Sequence, residues 1–256
     1  MDYINLLDDI CNIASQAGRA IMDIYQTDDF CVQVKEDNSP LTKADLTAHN
    51  IICEGLNKLD STIPILSEES DEITYQTRSN WNRFWLVDPL DGTKEFIKRN
   101  GEFTVNIALI ENSNPVLGVV FAPVLNKLYC GHLQYGAWLK EGGQPKKKIK
   151  VADKLIGDLK VVASRSHRSE ELENYLLSLP SHQCIAMGSS LKLCLVAQGE
   201  AHLYPRIGPT MEWDTAAADA VVRSAGGQVT DLNGENLKYN KENLLNPYFI
   251  VHSKVI

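Results

Sequence analysis

Ile4, Leu7, Cys11, Ala14, Gly18 and Ile21 recur at steps of three and four residues, the spacing of one face of an α-helix, so the chain is expected to open with an amphipathic helix. A second helix is expected from about Lys43 to Leu59, entered through "LTKAD". The pattern then changes. "TIPIL" reads as a short strand ending at "SEES". "RFWLVD" lacks polar alternation, so both of its faces are expected to be covered. "FTVNIALIE" alternates and reads as a longer strand, and "VLGVVFAP", "KLYCGHL" and "GAWLK" follow at short intervals, which predicts a meander of mostly antiparallel strands.

The stretch Glu141 to Lys150, "EGGQPKKKIK", combines glycines, a proline and a lysine cluster, and is the best boundary candidate. Lys146, Lys147 and Lys148 are expected to form a solvated hairpin or linker rather than an anion site. Beyond it, strands ("LKVVAS", "QCIAM", "AHLY" and two more) alternate with helices ("SEELENYLLSL", "SLKLCLVAQG", "WDTAAADAVVRSAGG"), which suggests an α/β second half. The expected division is an N-terminal α+β domain over 1–150, with the antiparallel sheet, and a C-terminal α/β domain over 151–256.

The 256 residues suffice for one large domain or two small ones, and 44% hydrophobic residues suit a packed core. A net charge of −8 argues against a nucleic-acid binder, which needs a basic surface, and suits a protein that gathers cations. Six scattered cysteines form no CxxC pair, so zinc and redox motifs are not expected, and most read as buried thiols of a reducing cytosol. "MDYINLLDDI" lacks a basic n-region, and no apolar run approaches the ~18 residues of a membrane helix. The expectation is a cytoplasmic protein without an integral membrane segment; peripheral association with the inner membrane face is compatible with it.

Candidate chemistry concentrates in carboxylates. "WLVDPLDGTKEF" delivers Asp88 and then Asp91 three residues later, at the end of a buried strand. Glu68 and Glu69 follow the preceding strand, and Asp214 opens a late helix. Strand C-terminal ends and helix N-terminal ends can converge on one cleft. Crowded carboxylates repel unless they share a cation or a proton. Hard oxygen ligands without cysteine or histidine beside them favour magnesium or manganese over zinc. After Asp91 the chain turns at Gly92, and the N–H groups of Gly92 and Thr93, with the Thr93 hydroxyl, are expected to face an anion. Taken singly, each acidic residue has a bland reading: a turn former before glycine, solvated surface, a helix cap. Asp45 in particular fits a variant capping box with Thr42.

Together, "SEE", "WLVDPLDGT" and the late "WDTAAA" resemble, in order and spacing along nearly the whole chain, the motifs of the lithium-sensitive, magnesium-dependent phosphatases related to inositol monophosphatase. The resemblance implies a layered α-β-α-β-α sandwich of the inositol monophosphatase and fructose-1,6-bisphosphatase type. It implies that Glu68, Asp88, the Leu90 carbonyl, Asp91 and Asp214 bind two or three Mg2+ ions, with Mn2+ as a substitute and Li+ and Ca2+ as inhibitors. It implies that Asp45 and Thr93, with Glu69 nearby, orient the attacking water. Glu68, Leu90, Asp91, Gly92, Thr93 and Asp214 would surround the phosphate. One departure is Ala218, where the last motif ordinarily ends in glycine.

Three later loops bear on the substrate. "ASRSH", "GSSLK" and "YPRIGPT" bring cationic and hydroxyl groups beside helix starts, which suits a second anion site. Their bland readings are a surface histidine, a snorkelling lysine and a structural ion pair. They resemble the bacterial CysQ-type 3′(2′),5′-bisphosphate nucleotidase branch, which implies that His167, Ser189, Lys192 and Arg206 hold a nucleotide and its retained 5′-phosphate. The implied activity is hydrolysis of the 3′-phosphate of adenosine 3′,5′-bisphosphate (PAP) to AMP, with the sulfated analogue PAPS a further candidate, in sulfur assimilation and PAP recycling, by a monomer or dimer. An inositol monophosphatase or broad sugar-phosphate phosphatase is the alternative, and a non-catalytic nucleotide or metal sensor a remote one.

Overall fold

In the computed structural model, which describes residues 3–27, 30–34, 40–163 and 169–255, the periodic N-terminal stretch forms helix α1 (Tyr3–Tyr25). Leu7, Cys11, Ala14, Gly18 and Ile21 face inward as their spacing predicts. Ile4 does not: it is 50% exposed, because the covered stretch of the helix begins only at Leu6. Short strands β1 (Gln33–Val34) and β2 (Pro40–Leu41) pair antiparallel and lead to helix α2 (Lys43–Leu59). The predicted capping box is present: Ala44 N–H donates to Thr42 Oγ1 at 3.2 Å, and Thr42 N–H donates back to Asp45 Oδ2 at 2.8 Å.

A seven-stranded sheet follows in sequential order: β3 (Ile65–Ser67), β4 (Arg83–Asp91), β5 (Thr104–Glu111), β6 (Asn114–Ala122), β7 (Lys127–His132), β8 (Gly136–Glu141) and β9 (Lys147–Ile149). All neighbours are antiparallel except β3 beside β4. The short helices α3 (Tyr75–Arg78) and α4 (Thr93–Ile97) flank β4. The lysine cluster supplies the edge strand of this sheet. Lys147 and Lys148 are exposed and Ile149 is buried, Lys147 Nζ lies 2.5 Å from Glu141 Oε2, and Lys146 pairs with Asp8. Solvated lysines on an edge discourage pairing with another chain.

The second half alternates as its pattern predicts: β10 (Leu159–Ala163), α5 (Glu170–Ser178), β11 (His182–Ala186), α6 (Leu191–Ala197), β12 (Leu203–Arg206), α7 (Glu212–Ser224), β13 (Gln228–Asp231) and β14 (Phe249–His252). Its five-stranded sheet has the order β11-β10-β12-β14-β13, with β10 parallel to both neighbours. The remaining pairs, β12–β14 and β13–β14, are antiparallel.

Strand alternation assigns the layers. Trp85, Val87, Val105, Ile107 and Leu109 pack with α1 and α2. Phe84, Leu86, Ala108 and Ile110, one residue out of phase, pack with α6 and α7. The same two helices meet the second sheet through Val162, Tyr204, Phe249 and Val251. On that sheet's far face, Val161 and Leu203 pack with Leu172 and Leu176 of α5. The result is the expected α-β-α-β-α stack, and β4 is buried on both faces. Ala218 lies fully buried within α7, which runs through it uninterrupted.

The cysteines depart from expectation. Cys11, Cys130 and Cys194 are buried, but Cys53 is intermediate and Cys31 and Cys184 are exposed. Cys184 sits on β11, an edge strand whose faces are mostly open. Among the described residues no helix is long and apolar enough to cross a membrane.

Candidate metal and phosphate site

The layering brings strand ends and helix starts to one cleft. Glu68 follows β3 and is tied to β4 by its N–H, which donates to Val87 O at 3.1 Å. Asp88 lies inside β4, 1% exposed. Asp214 is the third residue of α7, and Met211 N–H donates to its Oδ2 at 2.8 Å. Among the described residues, Glu68, Asp88 and Asp214 each offer a carboxylate oxygen within 4.8 Å of the others. The register of β4 against β5 shifts between Asp88 and Asp91, which breaks the strand's alternation where the two carboxylates lie.

The electrostatics are those of crowded, desolvated acids. Burial, then repulsion from Glu68, Asp91 and Asp214, pushes Asp88 well above the usual carboxylate range. Burial, then Asp91 and Glu68, pushes Asp214 up to about 8. Burial raises Asp91 to about 6 against the pull of Lys192 and the Ser190 N–H. Asp88 Oδ1 accepts from Leu90 N–H at 3.0 Å, while its Oδ2 is buried with no hydrogen-bond partner among the described residues. An orphaned carboxylate oxygen facing two further carboxylates, with oxygen donors alone, fits a hard cation; this cluster could bind metal.

Asp45 and Thr93 are joined by a hydrogen bond between α2 and α4. Thr93 Oγ1 lies 3.1 Å from Asp45 Oδ1 and 3.4 Å from Leu90 O. Asp45 is buried, and its other oxygen accepts from both the N–H and the hydroxyl of Thr42, at 2.8 and 2.5 Å. The capping geometry and the contact with Thr93 therefore coexist in one side chain. Burial raises the Asp45 carboxyl, and the hydrogen bonds from Thr42 and Thr93 oppose that rise. Gly92 takes φ +93 at the start of α4, a left-handed turn that favours glycine. Glu69 follows Glu68, and its N–H donates to Ser67 Oγ at 3.4 Å.

An open cleft adjoins these residues. Asp91, Asp214, Ser189, Lys192 and Arg206 are among the residues that line it. Lys192 is 8% exposed; burial brings its ammonium down to about 8, against the pull of Asp91, and it lies 5.7 Å from the centre of the Tyr204 ring. Arg206 donates to Pro209 O at 2.7 Å, and its Nε is buried without a hydrogen-bond partner among the described residues. Ser189 stands at φ +43, and its hydroxyl donates to Glu102 O. His167 lies outside the described residues.

Several neighbours were not singled out by sequence. Ser190 N–H donates to Asp91 Oδ2 at 2.6 Å, and its hydroxyl bonds Asn106 and Thr104. The available signal was two polar residues, Thr104 and Asn106, on the core side of an otherwise apolar strand. His49 Nδ1, one helical turn after Asp45, lies 2.9 Å from Ser67 Oγ beside Glu68; burial lowers this histidine and favours its neutral form.

Known proteins resemble the chain over nearly its whole length. Residues 5–253 match the model of the inositol monophosphatase family. The chain is 52% identical over 248 residues to the 3′(2′),5′-bisphosphate nucleotidase CysQ of Escherichia coli strain K12, covering 96% of this chain and 99% of that protein. It is 37% identical over 249 residues to the protein of the same name from Haemophilus influenzae, covering 96% of this chain and 92% of that one. The crystal structure of CysQ from Bacteroides thetaiotaomicron superposes with a TM-score of 0.88 at 44% identity, covering 98% of each chain. An IMPase from Thermotoga maritima, 24% identical, shares the fold at a TM-score of 0.77, covering 100% of this chain and 94% of that one. The chain belongs to the inositol monophosphatase family.

Proposed function

We propose that this protein is a magnesium-dependent phosphatase that hydrolyses the 3′-phosphate of adenosine 3′,5′-bisphosphate to AMP and phosphate in the cytoplasm, with PAPS as a further substrate. The observation that carries the reading is one cleft lined both by the carboxylates Asp91 and Asp214 and by the cations Lys192 and Arg206, with Asp214 also a member of the Glu68–Asp88–Asp214 cluster. A monophosphate ester needs only the carboxylate-held cations; a bisphosphate also engages Lys192 and Arg206.

Glu68, Asp88, the Leu90 carbonyl, Asp91 and Asp214 would hold the Mg2+ ions, which when bound neutralise phosphate charge and activate water at neutral pH. Asp45 and Thr93 orient a water and take its proton, with Asp45 held in place through Thr42. Gly92 and Thr93 face the phosphate, and Glu69 lies near the attacking water. Lys192, Arg206 and Ser189, with His167, retain the 5′-phosphate and the nucleoside. Water attacks phosphorus directly, the P–O3′ bond breaks, and the 3′-oxygen, which a cation held by Asp91 and Asp214 would stabilise, leaves and takes a proton from a second water, while the proton held at Asp45 returns to solvent. No phospho-enzyme forms. Structurally we propose two halves, 1–150 and 151–256, that share the cleft.

Turnover of adenosine 3′,5′-bisphosphate, PAPS and inositol 1-phosphate, with and without Mg2+, tests the assignment. The expected result is a preference for the bisphosphate that Lys192→Ala erodes through KM. A preference for inositol 1-phosphate unaffected by Lys192→Ala would replace it with an inositol monophosphatase. No turnover of any ester in Mg2+ would favour a sensor.

A further inference from the structure

Beneath the cleft, three polar side chains are almost wholly removed from water: Thr104 (0% exposed), Asn106 (1%) and Ser190 (2%). Ser190 Oγ donates to Asn106 Oδ1 at 2.7 Å, Asn106 Nδ2 donates to Thr104 Oγ1 at 3.2 Å, and the Thr104 and Ser190 hydroxyls lie 2.8 Å apart. The donor assignment is forced. An amide oxygen only accepts and an amide nitrogen only donates. The Ser190 proton is therefore committed to Asn106, and Thr104 must donate to Ser190. The three groups form a closed ring in which every hydrogen bond runs the same way round.

The ring joins β5 of the large sheet to the start of α6 in the second half. Thr104 is also the register partner of Asp91 across β4 and β5. The residue the ring fixes, Ser190, is the one whose N–H grips Asp91 Oδ2 at 2.6 Å. Ser189 precedes it in a left-handed conformation and Lys192 follows it by two residues. One buried unit thus sets both the rotamer of Asp91 and the placement of the cationic loop.

We propose that Thr104, Asn106 and Ser190 are positioning residues that pre-set Asp91 as a metal ligand from the nucleotide-binding loop; this rests on the phosphatase reading above. A hydrogen-bonded ring in a dry core is rigid, so Asp91 needs no reorientation when a cation arrives. Loss of such an outer partner typically weakens metal binding about 10–100-fold.

The test is Mg2+ titration calorimetry on the full chain without substrate, with folding checked by circular dichroism. Thr104→Val removes the hydroxyl at nearly constant shape, Thr104→Ser keeps it, and Ser190→Ala opens the ring at the other side. Tyr129→Phe, which removes the hydroxyl bond to Gln198 at the far end of α6, controls for loss of stability alone. Thr104→Val and Ser190→Ala are expected to weaken Mg2+ binding about 10-fold or more, while Thr104→Ser and Tyr129→Phe bind as wild type. Wild-type affinity in a folded Thr104→Val would overturn this inference and leave the phosphatase reading intact. A wild type that binds no divalent cation would overturn both.

Discussion

Replacing Asp214 with asparagine separates the two states that the carboxylate cluster implies. In the metal-free protein the Asp214 carboxyl is raised from 3.8 to about 8, first by burial and then by Asp91 and Glu68. Between those values the folded chain keeps a proton that the unfolded chain has released. The sign follows from linkage: when the native state binds more protons, stability falls as pH rises. For this one group the slope is at most ~1.4 kcal/mol per pH unit, from about pH 4 to about pH 8, and it flattens above. At pH 7 the ceiling is ~4 kcal/mol, and sharing of protons with Asp88 and Asp91 reduces it to ~2 kcal/mol. Asparagine is close in shape and its oxygen can still accept from Met211 N–H, so the cap is kept.

Urea unfolding in EDTA at pH 5, 6, 7 and 8 measures this. Asp214→Asn should match the wild type near pH 4–5 and exceed it by ~2 kcal/mol at pH 7. Excess Mg2+ should reverse the order, because a bound cation stabilises the native state by mass action and the variant has lost a ligand. Parallel pH dependences for the two proteins in EDTA would refute the claim that these acids repel one another in the empty site. An unchanged Mg2+ response in the variant would refute Asp214 as a ligand.

Much of this architecture was legible because its signals are local. The spacing of Leu7 to Ile21 gave α1, the Thr42–Asp45 pair located the start of α2, and the absence of alternation in "RFWLVD" predicted a strand covered on both faces. Ile4 failed because periodicity continues past the point where a helix meets its sheet. Cys184 failed because an apolar-looking segment can still be an edge strand, and edges are set by tertiary order, not by composition. The carboxylates were legible as a set because Glu68 follows a strand, Asp88 and Asp91 lie toward the end of β4, and Asp214 opens a helix. The ring of Thr104, Asn106 and Ser190 was not. Its members are ordinary residues, and Ser190 lies more than eighty positions from the other two, so only tertiary structure closes it. Asp45 shows the opposite limit. The capping and catalytic readings compete as explanations of sequence, yet one carboxylate with two oxygens serves Thr42 and Thr93 at once.

Asp45→Asn should lower kcat on the bisphosphate by ~10²–10⁴-fold while reducing stability by no more than ~1 kcal/mol; a loss of activity explained wholly by unfolding in a thermal melt would return Asp45 to a purely structural role. Gly188→Ala would place a methyl 2.9 Å from both the side chain and the carbonyl of Glu102, so the Ser189 loop must shift, and KM for the nucleotide should rise with kcat less affected; unchanged kinetics would show that this loop does not meet the substrate. Division of the chain after residue 150 should leave neither half folded. Removing 151–256 uncovers the sheet face that carries Leu66, Phe84, Leu86, Ile110, Val120 and Leu139, all packed with α6 and α7 in one core. At ~1.5–3 kcal/mol for each large apolar side chain, those six alone represent ~9–18 kcal/mol, comparable with or above the whole stability of a typical domain. Co-expressed halves should therefore recover native circular dichroism and Mg2+ binding only together. A cooperative thermal transition in isolated 1–150 would mean that the first sheet does not need α7 over it.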